Sequence, residues 1–375
     1  MDTNKNVMEM RIANLEKQVS DERARISTDR MDISFGELVN MYKNGELIIR
    51  PEYQRLFRWT TTQKTALIES ILLGIPVPPI FVAEDENGIW ELVDGLQRIT
   101  TIISFFGELN ENLSSNSIIT GEIEEDNTDM LNNWSLESGS LLEDLEGLNA
   151  NTLPRRYQIN IKRAVCRVEI LRGESNTSMK YELFKRLNSG GSKLTPQEIR
   201  NAIFRGVNSR VNRLIEDLSR NENFSFLVEL SESKKQELYD QELVLRFIAY
   251  LNNIDRINSN TESYLDSFME DAVNNTEFNE SYYRSTFETV VALLRRNCEK
   301  GVFRNERNSF VPAYYEGITI GVAQNIDKYE NNIELLLNKI DELKNDDEFK
   351  RFSGSASNSK NRIRNRLKRA NEIFS

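Results

Sequence analysis

Histidine is missing altogether from the 375 residues. Its absence removes the Ser-His-Asp triad, the Cys-His pair, histidine metal ligands and every nuclease mechanism that needs a histidine base. Any chemistry must run on carboxylates, Lys, Tyr, Arg or a metal-bound water. Cysteine is almost as scarce. Cys166 and Cys298 stand far apart without motif partners, so neither a structural zinc site nor a disulfide framework is expected. That usage fits a reducing, cytoplasmic compartment. No run approaches the roughly 18 apolar residues that a bilayer span requires, so no membrane partner is expected. The start of the chain (Asp2, Lys5, Glu9, Arg11) lacks a signal-peptide pattern.

What is present fits a soluble protein with a sizeable core: 39% hydrophobic residues against 29% charged. The net charge of −11 argues against a uniformly basic nucleic-acid binder, but the charge is unevenly spread. Residues 111–150 hold ten acids and no Lys or Arg. Residues 180–213 hold eight bases against two acids, and 360–369 adds six bases. Local basic surfaces can hold phosphate on an acidic chain. The tail's candidate DNA contacts are Arg362, Arg366 and Arg369, and the plainer alternative is a solvated helix face.

The spacing of Met8, Ile12, Leu15 and Val19 predicts a helical leader over 1–30. Ser34 to Glu37 is a capping box opening a helix over 35–43. Short strands are expected at 47–49, 80–83 and 89–93, with a hairpin turn at 85–88 and a helix over 61–72 between them. Residues 107–150 read as an acidic insertion with weak periodicity. A strand over 164–171 and a helix over 177–187 follow. Thr195-Pro196-Gln197-Glu198 is a strong helix start, and from there the chain reads mostly as helices. The fold class is therefore α+β: a small mixed α/β domain over 31–205, then a helical domain over 206–375 with a basic terminal helix.

The most informative stretch is Val93-Asp94-Gly95-Leu96-Gln97-Arg98. A strand delivers an acid to its end, a glycine turns the chain, and an apolar helix begins. A helix start offers unpaired N–H groups and partial positive charge, which suits phosphate. Arg98 can add a forked donor, and Asp94 can hold a metal ion or orient a water. The plain alternative is that Asp94 caps the helix and Arg98 is a surface charge.

Two further segments could serve the same ligand. Residues 50–59 interleave Arg50, Arg55 and Arg58 with Tyr53, Phe57 and Trp59, so that arginines grip phosphates and rings stack on bases; alternatively the rings anchor the core. The segment from Phe184 to Thr195 carries Gly190 and Gly191, whose N–H groups can converge on an anion that Lys193 neutralises. It lacks P-loop spacing, and a helix-to-helix turn is the alternative.

In order, Tyr53-Gln54-Arg55 with Arg58-Trp59, Pro78-Pro79-Ile80, Asp94-Gly95-Leu96-Gln97-Arg98, and Arg186-Leu187-Asn188 with Gly190-Gly191 and Leu194-Thr195 resemble the N-terminal domain of GmrSD-type modification-dependent restriction enzymes. The resemblance covers about 34–205 and implies a fold related to ParB and sulfiredoxin. It further implies binding, and in some members hydrolysis, of a nucleoside triphosphate with Mg²⁺, in bacterial defence against foreign or modified DNA. The family's Asp-Gly-Gln-Gln-Arg signature falls on Asp94, Gly95, Gln97 and Arg98, with Leu96 standing where the family has Gln. Many relatives carry a C-terminal nuclease domain built around histidine, which this chain cannot supply.

The leading expectation is a nucleotide-dependent component of DNA defence, an NTPase rather than a nuclease. Asp94 holds the metal or orients its water, Gln97 positions water or a phosphate oxygen, and Arg98 stabilises phosphoryl charge. Gly95, Tyr53, Gln54, Arg55, Arg58, Arg186, Asn188, Gly190, Gly191 and Lys193 are the expected phosphate and nucleotide contacts. One alternative is a metal-dependent DNA nickase at the same cleft, with Glu52 or Glu91 as added ligands. Another is a non-enzymatic nucleotide- or DNA-sensing adaptor whose acidic insert docks a partner subunit.

Overall fold

The computed structural model describes residues 2–25, 27–49, 59–109, 132, 134–172, 195–207, 209–251, 253–354 and 357–375. The chain divides into two compact units, Met1–Ser189 and Gly190–Ser375. Among the described residues no helix is long and apolar enough to cross a membrane.

The first unit is built on a five-stranded mixed sheet. Helix α1 (Asp2–Arg25) precedes strand β1 (Ser27–Ser34) and helix α2 (Phe35–Lys43); then come β2 (Leu47–Ile48), α3 (Thr61–Leu72), β3 (Ile80–Glu84), β4 (Trp90–Asp94), α4 (Leu96–Phe105), α5 (Arg155–Arg163) and β5 (Val165–Arg172). The sheet order is β1-β5-β3-β4-β2, with β3 parallel to β5 and antiparallel to β4. Helix starts follow the sequence cues. Ser34 accepts from the Glu37 N–H, and Thr60 and Gln63 form a reciprocal capping box at α3.

One face of the sheet is dry. Ile80, Val82, Trp90, Leu92, Cys166, Val168 and Ile170 meet Phe35 and Leu38 of α2, Ile68 of α3, Ile103 and Phe105 of α4, and Ile161 of α5. The other face carries charges. Arg30 sits opposite Glu169 and Asp32 opposite Arg167, each pair at 3.0 Å. Directly opposed unlike charges are the sheet's equivalent of i,i+4 helix pairs.

Three features depart from the sequence reading. The leader helix ends at Arg25, and the residues after it are the edge strand β1 rather than more helix. With one polar face and one strand partner, β1 offers little hydrophobic alternation to read. The last part of the expected insertion is core: Leu136, Leu145 and Ala150 are buried, and Trp134 donates from Nε1 to Ser104 Oγ at 3.0 Å. Helix α5 was not expected at all, because its only fully buried side chain is Ile161. The predicted helix over 177–187 lies outside the described residues.

The second unit is helical: α6 (Pro196–Val207), α7 (Ser209–Ser219), α8 (Glu222–Val228), α9 (Glu232–Gln236), α10 (Tyr239–Tyr250), α11 (Thr261–Asn274), α12 (Glu280–Asn297), α13 (Pro312–Gln324), α14 (Ile326–Glu330), α15 (Ile333–Asn345), α16 (Asp347–Ser353) and α17 (Lys360–Phe374). Helix α6, which the sequence reading gives to the first domain, opens this unit. An alternating chain of charges runs through its interior. Asp266 Oδ1 takes the Arg200 Nε at 2.7 Å; Glu242 lies between Arg200 and Arg246; Glu316 lies between Arg246, at 2.7 Å, and Arg366. Burial alone would raise the Glu242 pKa, but Arg246 and Arg200 outweigh it and hold the carboxyl below its ordinary value.

Candidate functional site

The site is made where β4 runs into α4. The register between β3 and β4 shifts between Phe81 and Val82, so that Phe81 pairs with Asp94 but Val82 with Leu92. Val93 is the extra residue, and β4 buries Leu92 and Val93 in succession. This bulge reverses the alternation of faces, and Asp94 emerges at the rim instead of under the helices. Gly95 then adopts φ +101°, a left-handed conformation that ordinary side chains avoid. A Cβ at this position would clash with Ile80 and lie 2.9 Å from its Cβ. Glycine is thus required twice, by backbone conformation and by space.

Helix α4 starts with Gly95 at its N-cap and has no side-chain cap. The first-turn N–H groups therefore lack the usual side-chain acceptor. Arg98 sits one turn in. Its Nη2 donates to Asp94 Oδ2 at 2.9 Å, and its Nη1 donates to the carbonyls of Pro78 and Pro79, the latter at 2.8 Å. The guanidinium thus ties the turn before β3 to the end of β4. The side chains are 15% exposed for Arg98 and 33% for Asp94. Gln97 accepts the Trp59 N–H at its Oε1, at 3.3 Å. That bond brings the end of the arginine- and aromatic-rich segment to the start of α4.

The structure therefore joins Asp94, Gly95, Gln97, Arg98, the Pro78–Pro79 carbonyls and the Trp59 backbone. The sequence reading had the first four, and it counted the Pro78-Pro79-Ile80 segment among those that carry the family resemblance without giving it a role at the site. Its meaning lies in long-range contact: two carbonyls that hold Arg98 and a side chain packed on Gly95. Both Nη groups of Arg98 serve acceptors of the chain. In this geometry it is a positioning residue for Asp94 and the turn before β3.

Tyr53, Gln54, Arg55, Arg58, Arg186, Asn188, Gly190, Gly191 and Lys193 lie outside the described residues, as does Glu52. Among the described residues no group of three or more Asp, Glu or Cys side chains could enclose a metal ion. Asp94 offers a single carboxylate. That set suits Mg²⁺, which keeps waters and takes one or two carboxylates plus phosphate oxygens, and does not suit a cage of protein ligands.

One of the tail residues needs correction. Arg366 is only 1% exposed and gives its donors to Glu316 and the Ser357 carbonyl, so it cannot face DNA. Arg369 holds Asp346 at 2.7 Å and also meets Glu372. Arg362 donates to the Arg351 carbonyl at 3.1 Å. The helical period that places six bases on this segment places some of them inward, which charge counting does not register.

No curated protein and no solved structure matches the chain significantly. Residues 35–205 match the model of the family described as GmrSD restriction endonuclease, N-terminal domain. The matched stretch contains the whole Asp94–Arg98 arrangement together with the Pro78–Pro79 turn that it grips, and it assigns this part of the chain to a domain family of restriction systems.

Proposed function

We propose that the chain is a nucleoside-triphosphate-binding component of a restriction-like DNA-defence system, with the triphosphate held at the start of α4. The observation that carries this reading is the uncapped α4 N-terminus behind a left-handed glycine, with a partly exposed carboxylate beside it. Leu96 and Gln97 present main-chain N–H groups to phosphate oxygens. Asp94 would hold Mg²⁺, which supplies charge neutralisation between phosphates. Arg98 fixes the Asp94 carboxylate through Oδ2. Gln97 couples the site to the segment that ends at Trp59.

Calorimetric titration of the full chain with each common triphosphate and Mg²⁺ tests the reading. Heat is expected with at least one of them, and Asp94→Asn should weaken binding more in the presence of Mg²⁺ than without it. Absence of heat with every triphosphate would sink the proposal.

A second reading has its own observation. Arg98 makes bonds to Asp94, Pro78 and Pro79, all inside the chain, which is what a purely structural clasp needs. In that case Asp94→Asn and Arg98→Ala shift the melting temperature, while the wild-type protein gives no nucleotide heat.

A further inference from the structure

Helix α5 is short, basic on one side and rigidly mounted. Its sequence runs Arg155-Arg156-Tyr157-Gln158-Ile159-Asn160-Ile161-Lys162-Arg163, with four cations and no acid. At about 100° per residue the four cations share an arc of roughly 120°. All four are exposed. Ile161 lies on the opposite side and is fully buried.

The mounting is tight. The Phe35 N–H donates to the Ala164 carbonyl at 3.0 Å. A Cβ on Gly36 would sit 3.0 Å from the Lys162 carbonyl, so α2 presses directly on the end of α5. Arg156 lies over the Tyr157 ring at 4.4 Å, and Lys162 over the Phe106 ring at 4.6 Å. These ring contacts steady the side chains without neutralising them. None of the four cations is in an ion pair among the described residues, whereas the neighbouring Lys43 is paired with Glu108.

Electrostatics inside the chain do not favour this arrangement. Arg155 and Arg156 occupy the first turn, where the helix dipole disfavours cations, and no acid accompanies them. Pro154 stands at the N-cap without a side-chain cap. Repulsion and open N–H groups thus coincide at one end, and both are relieved by an external anion. Lys162 and Arg163 lie seven residues further on, a rise of about 10 Å. That is roughly three phosphate steps along the axis of one strand of duplex DNA.

We propose that the exposed face of α5 is a docking surface for the phosphate backbone of duplex DNA. Arg155 and Arg156 hold one phosphate at the helix start, and Lys162 and Arg163 hold a second. The inference rests on the reading of the chain as a DNA-defence component, but not on nucleotide binding. It makes phosphate contacts only, so it positions DNA without selecting sequence.

The test is fluorescence anisotropy of a labelled 30-base-pair duplex with the full chain, over a series of salt concentrations. A variant with Arg155→Gln, Arg156→Gln, Lys162→Gln and Arg163→Gln should lose at least about tenfold in affinity at low salt. Its salt slope should be shallower by about 2, because each of the two phosphates held contributes about 0.9. A second variant with Arg155→Lys, Arg156→Lys and Arg163→Lys keeps the charges and should retain most of the affinity, which separates charge from fold. Wild-type slope and affinity in the glutamine variant would overturn the proposal. So would a wild-type chain that ignores duplex DNA or binds only single strands. Nucleotide titration keeps the two proposals distinct: in the glutamine variant, loss of DNA with nucleotide heat retained supports α5 alone, and in the wild-type chain, absence of nucleotide heat with DNA binding intact sinks the α4 site alone.

Discussion

Arg98 reaches back one turn to Asp94, at 2.9 Å, and in the same fork grasps the carbonyls of Pro78 and Pro79. The two halves of this clasp have different weights. A partly exposed ion pair is worth roughly 0.5 kcal/mol. Hydrogen bonds from a charged donor to carbonyl oxygens contribute about 1.5–3 kcal/mol. Arg98→Ala should therefore destabilise the chain by about 2–3 kcal/mol and Asp94→Asn by less than about 1 kcal/mol. Urea unfolding of the two variants measures the difference, and equal losses would contradict it.

Gly95→Ala meets two penalties at once. The left-handed backbone costs an alanine about 1–2 kcal/mol, and overlap with Ile80 adds about 1–3 kcal/mol. We expect a loss of about 2–5 kcal/mol in urea unfolding. A loss below about 0.5 kcal/mol would mean that the turn relaxes freely.

The Glu316–Arg366 pair is buried on both sides. Arg366→Ala leaves Glu316 with only Arg246 in a dry interior, and should cost about 3–5 kcal/mol. Replacing both residues together, with Glu316→Gln and Arg366→Met, should cost less than the sum of the single changes. A thermal or urea double-mutant cycle reads the coupling. Strict additivity would show that the pair does not act as a unit.

Glu69 gives the first unit a pH dependence. Its carboxylate accepts the N–H groups of Leu141 and Leu142, at 2.7 and 2.8 Å, and the Ser140 hydroxyl at 2.9 Å. Those backbone donors, led by Leu141, hold its pKa below the ordinary value of 4.5. A lowered folded value means that the unfolded chain binds the proton first, so the contribution is complete above pH 4.5 and fades as pH falls through the folded value. The stability gap between wild type and Glu69→Gln should be flat near neutrality and close below pH 4.5. A gap that widens on acidification would contradict this.

Much of the architecture was legible because periodicity is local. The helix over 35–43 was read with the boundaries it has, and it buries Phe35, Leu38, Val39 and Tyr42 on one face. The edge strand β1 and helix α5 were not legible, because each exposes most of its side chains and owes its form to neighbours. At the site, Asp94, Gly95, Gln97 and Arg98 were visible as a motif. Their partners were not, since the acceptors are carbonyls of Pro78 and Pro79, and backbone groups leave no trace in residue type. Arg366 shows the opposite failure: a base in a basic run reads as surface until packing turns it inward.

The extra residue in β4 carries a consequence for every chain that shares this turn. Were the bulge lost with Val93 retained, Phe81 would pair with Val93 and Ile80 with Asp94, and the acid would turn to the dry face of the sheet. A charged group there would have neither solvent nor counter-ion, so the strand would rather break than accept it. One irregular pairing thus decides whether this fold keeps a carboxylate at its margin or buries it, so the irregularity and the acid stand or fall together.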